Sequence, residues 1–226
     1  MKLWRVDDVM TSDVVVVRAD TPYRDVVDLL IRRRISAAPV VTAAGEVVGV
    51  VSETDLMHKV EAVGERPRVL PSRRRRGHLI KAAARTAADA MTSPAVTVEP
   101  SLSLAAAARR MSERKVKRLP VVDAGGRLVG VVTRSDLLKV HLRTDEQIAV
   151  DVAAEIAEVA PGAVRAATAG GVVRLSGRVK FGSAAERLVR LAGEVPGVVG
   201  VADDIRYEVD DSMITGSTLG TPFGVA

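Results

Sequence analysis

Two stretches of the chain share one hydrophobic pattern. Each opens with a short Val-rich run (14–17 and 95–98) and continues with an apolar stripe at helical spacing (23–34 and about 102–114). Two short β-branched runs follow, 39–41 with 47–51 and 120–122 with 128–132. Such runs, bounded by turn residues, predict strands, and the stripe predicts a helix. In the first helix the stripe is Val26, Val27, Leu29, Leu30 and Ile31. The turns between the paired runs carry Gly45 in one copy and Gly125-Gly126 in the other, and a further helix opens at Ser52 and at Thr133. A constant shift of 81 carries Met10 to Met91, Pro39 to Pro120, Gly49 to Gly130 and Asp55 to Asp136. An ungapped register of this length marks an internal repeat. Residues 6–57 and 87–138 are therefore expected as two βαββα units. Neither buries both of its faces alone, so the two should pack about a pseudo-two-fold axis.

The pattern changes after Val140. Ile148, Val152, Ile156 and Val159 recur at helical spacing behind Thr144, a candidate N-cap. Residues 164–169 and 172–179 alternate as strands about Gly170-Gly171, the signature of a tight hairpin. A helix over 183–194 turns Leu188, Leu191 and Ala192 inward, and a turn at Pro196-Gly197 leads to a last strand. The order is αββαβ. Residues 210–226 hold three glycines and little periodicity, as expected of a flexible tail.

The strings PVVTAAGEVVGVVSETDL and LPVVDAGGRLVGVVTRSDLL resemble the signature of CBS domains, and two adjacent copies resemble a Bateman module. GGVVRLSGRV followed by VPGVVGV resembles a BON domain. The resemblance implies an α+β chain: CBS repeat one over 6–57, a basic linker over 58–86, CBS repeat two over 87–140, a BON-like domain over 144–209 and the tail. It also implies an adenine nucleotide as ligand (AMP, ADP or ATP, with S-adenosylmethionine as a further candidate). The regulator would have no catalytic role and would form a homodimer through helices, where residues 105–108 offer an Ala-rich surface. BON domains are associated with phospholipid binding, which implies an anionic lipid or a protein partner for the C-terminal domain.

Composition narrows the chemistry. Aromatic residues are 2% of the chain, so base stacking has little to work with, and the absence of cysteine removes disulfides, thiolate metal sites and Cys nucleophiles. His58, His78 and His141 look isolated, with no partner at metal-ligand spacing, so no metal site is expected. Asp7 and Asp8 fall where a signal peptide needs apolar residues, so a cytoplasmic location is expected, with the inner membrane face as a peripheral alternative. The formal net charge of +5 is local: between Glu61 and Ala88 eight bases face two acids. Arg73, Arg74, Arg75 and Arg76 form a run that attracts polyanions by charge, anionic lipid before nucleic acid, though a solvated and mostly disordered linker explains it as well. The string HLIKAAARTAADAM could start a helix leading into the second repeat.

The candidate site lies where strand gives way to helix. Ser52, Thr54 and Asp55, like Thr133, Ser135 and Asp136, put hydroxyls at a helix N-terminus, where free N–H groups favour phosphate. An aspartate one turn on can accept from two ribose hydroxyls, or can close a plain capping box. By the family resemblance, Asp136 and Thr133 face Val15, Ile35 and Ala37, while Asp55 and Ser52 face Val96, Val116 and Arg118. Lys117 and Arg118 then stand where family members reach phosphate, unless they are merely a solvated strand end. Their counterparts Ser36 and Ala37 carry no charge, so the Asp55 site should prefer more phosphate. Phe181 is a candidate membrane contact, or packs locally.

Overall fold

The computed structural model describes residues 4–63 and 73–211, which fall into two compact units, residues 4–137 and residues 138–211. In the first unit, repeat one comprises β1 (Val17–Arg18), α1 (Tyr23–Arg33), β2 (Ala37–Val41), β3 (Val47–Ser52) and α2 (Glu53–Glu61). Then come α3 (Arg73–Ala82) and α4 (Ala87–Ala90), and repeat two supplies α5 (Leu104–Glu113), β4 (Arg118–Val122), β5 (Leu128–Thr133) and α6 (Arg134–Leu138). β2 and β3 pair antiparallel, as do β4 and β5, and both hairpins slip register at the equivalent step, Val40/Val41 and Val121/Val122.

The expected first strands are shorter than their Val-rich runs. β1 has two residues, parallel to β2, and its counterpart is a single bridge between Val98 and Val121. The residues ahead of them pair with the other repeat instead. Thr11 exchanges two backbone hydrogen bonds with Val131 (2.9 and 2.9 Å), and Thr92 does the same with Val50 (2.9 and 3.1 Å). These four residues are related by the shift of 81, so the bonds display the two-fold directly.

The repeats also exchange their opening segments. Val6 donates to the Leu102 carbonyl and Asp7 to that of Pro100, while Ala87 donates to Thr21 and Ala88 to Ala19. Val6 lies in the core of repeat two with Met111, Leu119, Val121 and Val132. Ala84, Ala87 and Ala90 lie in the core of repeat one with Val26, Leu30, Val40 and Val51. Each repeat thus completes its core with the segment that precedes the other. Gly49 and Gly130 permit that approach: a Cβ there would meet Met91 Sδ at 2.4 Å and Met10 Sδ at 2.5 Å. The two hairpin turns close the axis, with Val47 donating to Gly126 and Leu128 to Gly45.

Where the expected linker is described it carries a helix: α3 packs against α2, and Thr86 closes a capping box with Asp89 at the start of α4. Alanines 84, 87 and 90 are apolar anchors that a reading centred on the arginines passed over. The side chains of Arg73, Arg74, Arg75 and Arg76 lie outside the described residues, as do the tail residues 212–226.

In the second unit, α7 (Asp145–Val159), β6 (Val164–Ala169), β7 (Val172–Phe181), α8 (Gly182–Glu194) and β8 (Gly200–Val209) follow the expected order. The sheet order is β6-β7-β8, with the hairpin antiparallel and β8 parallel to β7 through the α8 crossover. Ile148, Val152 and Ile156 of α7 pack with Val173, Leu175, Leu188 and Ala192. Thr144 caps α7, and Asp145 accepts from the Gly170 and Gly171 N–H groups at 2.8 Å each, fixing the hairpin turn against the helix start. Phe181 is 41% exposed beside Lys180, whose Nζ lies 5.3 Å from the ring centroid. Among the described residues no helix is long and apolar enough to cross a membrane.

Candidate ligand-binding site

A cavity of about 450 Å³ opens between the repeats. Repeat one contributes Ser52, Thr54 and Asp55 at the start of α2, and repeat two contributes Val96, Val116, Lys117 and Arg118. The residues expected around Asp55 are therefore brought together. The volume falls within the ~300–1,000 Å³ usual for small-molecule sites.

Why the chain folds this way locally follows from the helix start. Ser52 ends β3 in an extended conformation and caps α2. The Ser52 N–H and Oγ donate to Asp55 Oδ2 at 2.9 and 2.5 Å, and the Asp55 N–H donates back to Ser52 Oγ at 3.3 Å. The capping reading is thus correct for Oδ2. It does not exhaust the carboxylate, since Oδ1 accepts from Thr92 Oγ1 at 3.0 Å and from Lys81 Nζ. Lys81 also reaches Thr92 Oγ1, at 2.8 Å. One oxygen holds the helix start while the other takes exchangeable side-chain donors.

Arg118 lines the cavity and also bridges the repeats. Its Nη1 donates to the Ala37 carbonyl at 2.6 Å and its Nη2 to Ser36 Oγ at 2.5 Å. It therefore ties repeat two to the equivalent position of repeat one. Burial pushes the pKa of its guanidinium down, and the nearby Glu53 carboxylate partly offsets this. Lys117 is exposed on the rim, and with it stand Arg114 and Lys115, which the sequence reading left out. Lys115 takes a left-handed conformation (φ 54°) just after α5, as Arg34 (φ 52°) does after α1, so a helix end at that point was the available signal. Lys81 and Thr92 were also missed. Thr92 belongs to the exchanged segment and Lys81 to the presumed linker, and neither shares a local motif with Asp55.

Ala37, expected to face Asp136, lines the Asp55 cavity. Val15 and Ile35 are half-buried at positions related by 81 to Val96 and Val116. At the second helix start the box is repeated, with the Thr133 N–H and Oγ1 donating to Asp136 Oδ2 at 2.9 and 2.7 Å. Ser135 is exposed.

The histidines are not all isolated. His58 has Glu61 one turn on, with Nδ1 2.9 Å from Oε2, and its ring stacks on that of His78 at 4.2 Å.

Comparison with known proteins agrees with this architecture. The CBS domain family matches residues 6–62 and 87–143, and the BON domain family matches residues 144–209. An uncharacterized protein of Methanocaldococcus jannaschii, MJ1426, is 33% identical over 153 residues, covering 59% of this chain and 89% of that one. The chloroplastic CBS domain-containing protein CBSX2 of Arabidopsis thaliana is 32% identical over 154 residues, 62% of this chain and 64% of the relative. Its crystal structure in complex with AMP superposes with a TM-score of 0.54 at 31% identity, over 62% of this chain and 97% of that one. Inosine-5'-monophosphate dehydrogenase of Mycobacterium tuberculosis is 30% identical over 131 residues, which is only 21% of that enzyme. With both repeats matched, cored and joined about one axis, the chain belongs to the CBS domain family, as a tandem CBS pair followed by a BON domain.

Proposed function

We propose that the CBS pair is a ligand-sensing module that binds an adenine nucleotide in the cavity beside Asp55, and that the chain is a regulator rather than an enzyme. One observation carries this reading. The cavity joins a helix start bearing Ser52, Thr54 and Asp55 to apolar Val96 and Val116 and to a basic rim of Arg114, Lys115 and Lys117. Ribose, base and phosphate each meet a suitable surface there. Ribose hydroxyls would take the place of Lys81 and Thr92 on Asp55 Oδ1, leaving Oδ2 on the helix cap. Charge-assisted bonds of this kind contribute about 1.5–3 kcal/mol each. The relative CBSX2, solved with AMP, supports the choice of ligand class.

Asp136 with Thr133, Ser135, Val15 and Ile35 would form the related site, with less positive charge. Binding would shift the packing of the repeats and so alter what the BON domain contacts, an anionic lipid or a protein. A homodimer through the CBS helices and a cytoplasmic setting, with the inner membrane face as an alternative, complete the proposal. Calorimetric titration of the full chain with AMP, ADP, ATP and S-adenosylmethionine tests it. Binding to at least one adenine nucleotide, weakened in Asp55→Ala, is expected; wild-type affinity for all four in an Asp55→Ala/Asp136→Ala double variant would remove it.

A further inference from the structure

Asp55, His58 and Glu61 follow one another at intervals of three along α2, and such residues share a helix face. His78 and Lys81 stand at the same interval on α3. The two helices pack together so that Lys81 meets Asp55 and His78 meets His58. The seam between α2 and α3 thus has two rungs. The first is an ion pair at the cavity. The second brings two imidazoles and a carboxylate into one cluster, with a ligand atom from each of His58, Glu61 and His78 within 4.8 Å of the others.

We infer that His58, Glu61 and His78 form a binding site for a divalent transition metal of the zinc type, which clamps α3 onto α2. The donor set is two imidazole nitrogens and one carboxylate oxygen. That set suits Zn²⁺, Co²⁺ or Ni²⁺ and leaves a coordination position for water. A hard ion such as Mg²⁺ favours carboxylate, carbonyl and water oxygens instead. His58 is only 13% exposed, so its ring is held in the seam, and its Nδ1 already lies 2.9 Å from Glu61 Oε2. Joint coordination requires the His78 ring to turn out of the stack. Two ligands come from α2 and one from α3, so the ion would cross-link elements that residues 62–72 separate in sequence.

The experiment is a titration of the metal-stripped full chain with Zn²⁺ by calorimetry, and with Co²⁺ by visible absorption. Uptake of one ion per chain is expected, with Co²⁺ bands of the intensity that low-coordinate sites give. His78→Asn and His58→Asn should each weaken uptake by at least about tenfold, the loss found even for outer-shell partners. His141→Asn, outside the cluster, should leave it unchanged. Zn²⁺ should also slow amide exchange over residues 73–82 in the native chain but not in His78→Asn. Circular dichroism confirms that each variant is folded. Failure to take up Zn²⁺ at micromolar concentration overturns the inference. So does uptake that survives His78→Asn, or that His141→Asn abolishes equally.

Discussion

Repeat one and repeat two share a backbone and a helix cap, and they differ in the charge placed just ahead of Pro120 and Pro39, Lys117 and Arg118 against Ser36 and Ala37. The caps at Asp55 and Asp136 are the same box, with the N–H and hydroxyl of the residue three places earlier donating to Oδ2. Asp55 Oδ1 also receives Lys81, from α3, and Thr92, whose counterpart by the shift of 81 is Thr11. In the basic rim Arg114 and Lys115 correspond to Arg33 and Arg34, whereas Lys117 and Arg118 correspond to Ser36 and Ala37. The two copies thus share the helix-capping chemistry and differ in charge at the positions of Lys117 and Arg118.

The largest expected effect sharpens that comparison. Asp55→Ala should weaken ATP or ADP binding by at least about tenfold, equivalent to 1.4 kcal/mol, and by more than Asp136→Ala does. Both variants should lose a similar ~0.5–2 kcal/mol of fold stability through the shared cap. Calorimetry and urea unfolding on each variant read the two effects apart. Equal losses of affinity would show that the charge asymmetry does not rank the sites.

A second pair of substitutions should break nothing in the comparison, because the packing it probes is symmetric. Gly49→Ala and Gly130→Ala each drive a methyl into a methionine of the exchanged segment, at 2.4 and 2.5 Å, and into a carbonyl behind it at 3.0 and 3.2 Å. Each should cost about 1–3 kcal/mol, the usual range for overpacking. Denaturant midpoints measure this, and a neutral outcome at one glycine alone would mean that the two segments are not equivalently seated.

How much of this was legible in the sequence depends on distance along the chain. The repeat, the αββαβ order and the box at Ser52 and Asp55 are local or periodic, and hydrophobic spacing carries them. Exchange of the opening segments was hidden because Val6 and Ala87 sit at equal places in their repeats whichever core they enter. The bonds of Val6 with Leu102 and of Ala87 with Thr21 reveal it, together with the reciprocal bonds of Thr11 with Val131 and Thr92 with Val50. Lys81 and His78 were hidden for another reason. They lie in a stretch whose arginines and prolines outweigh its short apolar stripe, and their partners stand 26 and 20 positions away on α2.

Lys81→Met removes the cation that meets Asp55 from α3. Asp55 would keep its cap and lose the positive charge beside Oδ1. Preference should shift from ATP toward adenosine by several-fold, less than the tenfold that corresponds to about 1.4 kcal/mol. Competition assays with the two ligands read the ratio. An unchanged ratio would mean that Lys81 meets neither ribose nor phosphate and serves only to dock α3.

The smallest expected effect concerns acid. Asp89 heads the segment that repeat two lends to repeat one. The Arg85 and Thr86 N–H groups, each at 2.9 Å, and then the Thr86 hydroxyl at 3.0 Å, hold its carboxyl below the usual carboxylate range. A depressed folded-state pKa means that the unfolded chain takes up the proton first as pH falls. Stability from Asp89 is therefore fully present above the unfolded value, near ~3.9, and is lost as pH drops through the lower folded value. At the related position Asp8 accepts from the Arg5 N–H at 2.8 Å, and an arginine replaces the threonine whose hydroxyl donates to Asp89. Asp89→Asn should lower the urea midpoint at neutral pH, and the deficit should close as pH falls below about 4. A deficit that persists undiminished in acid would show that the asparagine disturbs packing around Ala87 and Ala90, and that the ionised carboxylate is not what seats the exchanged segment.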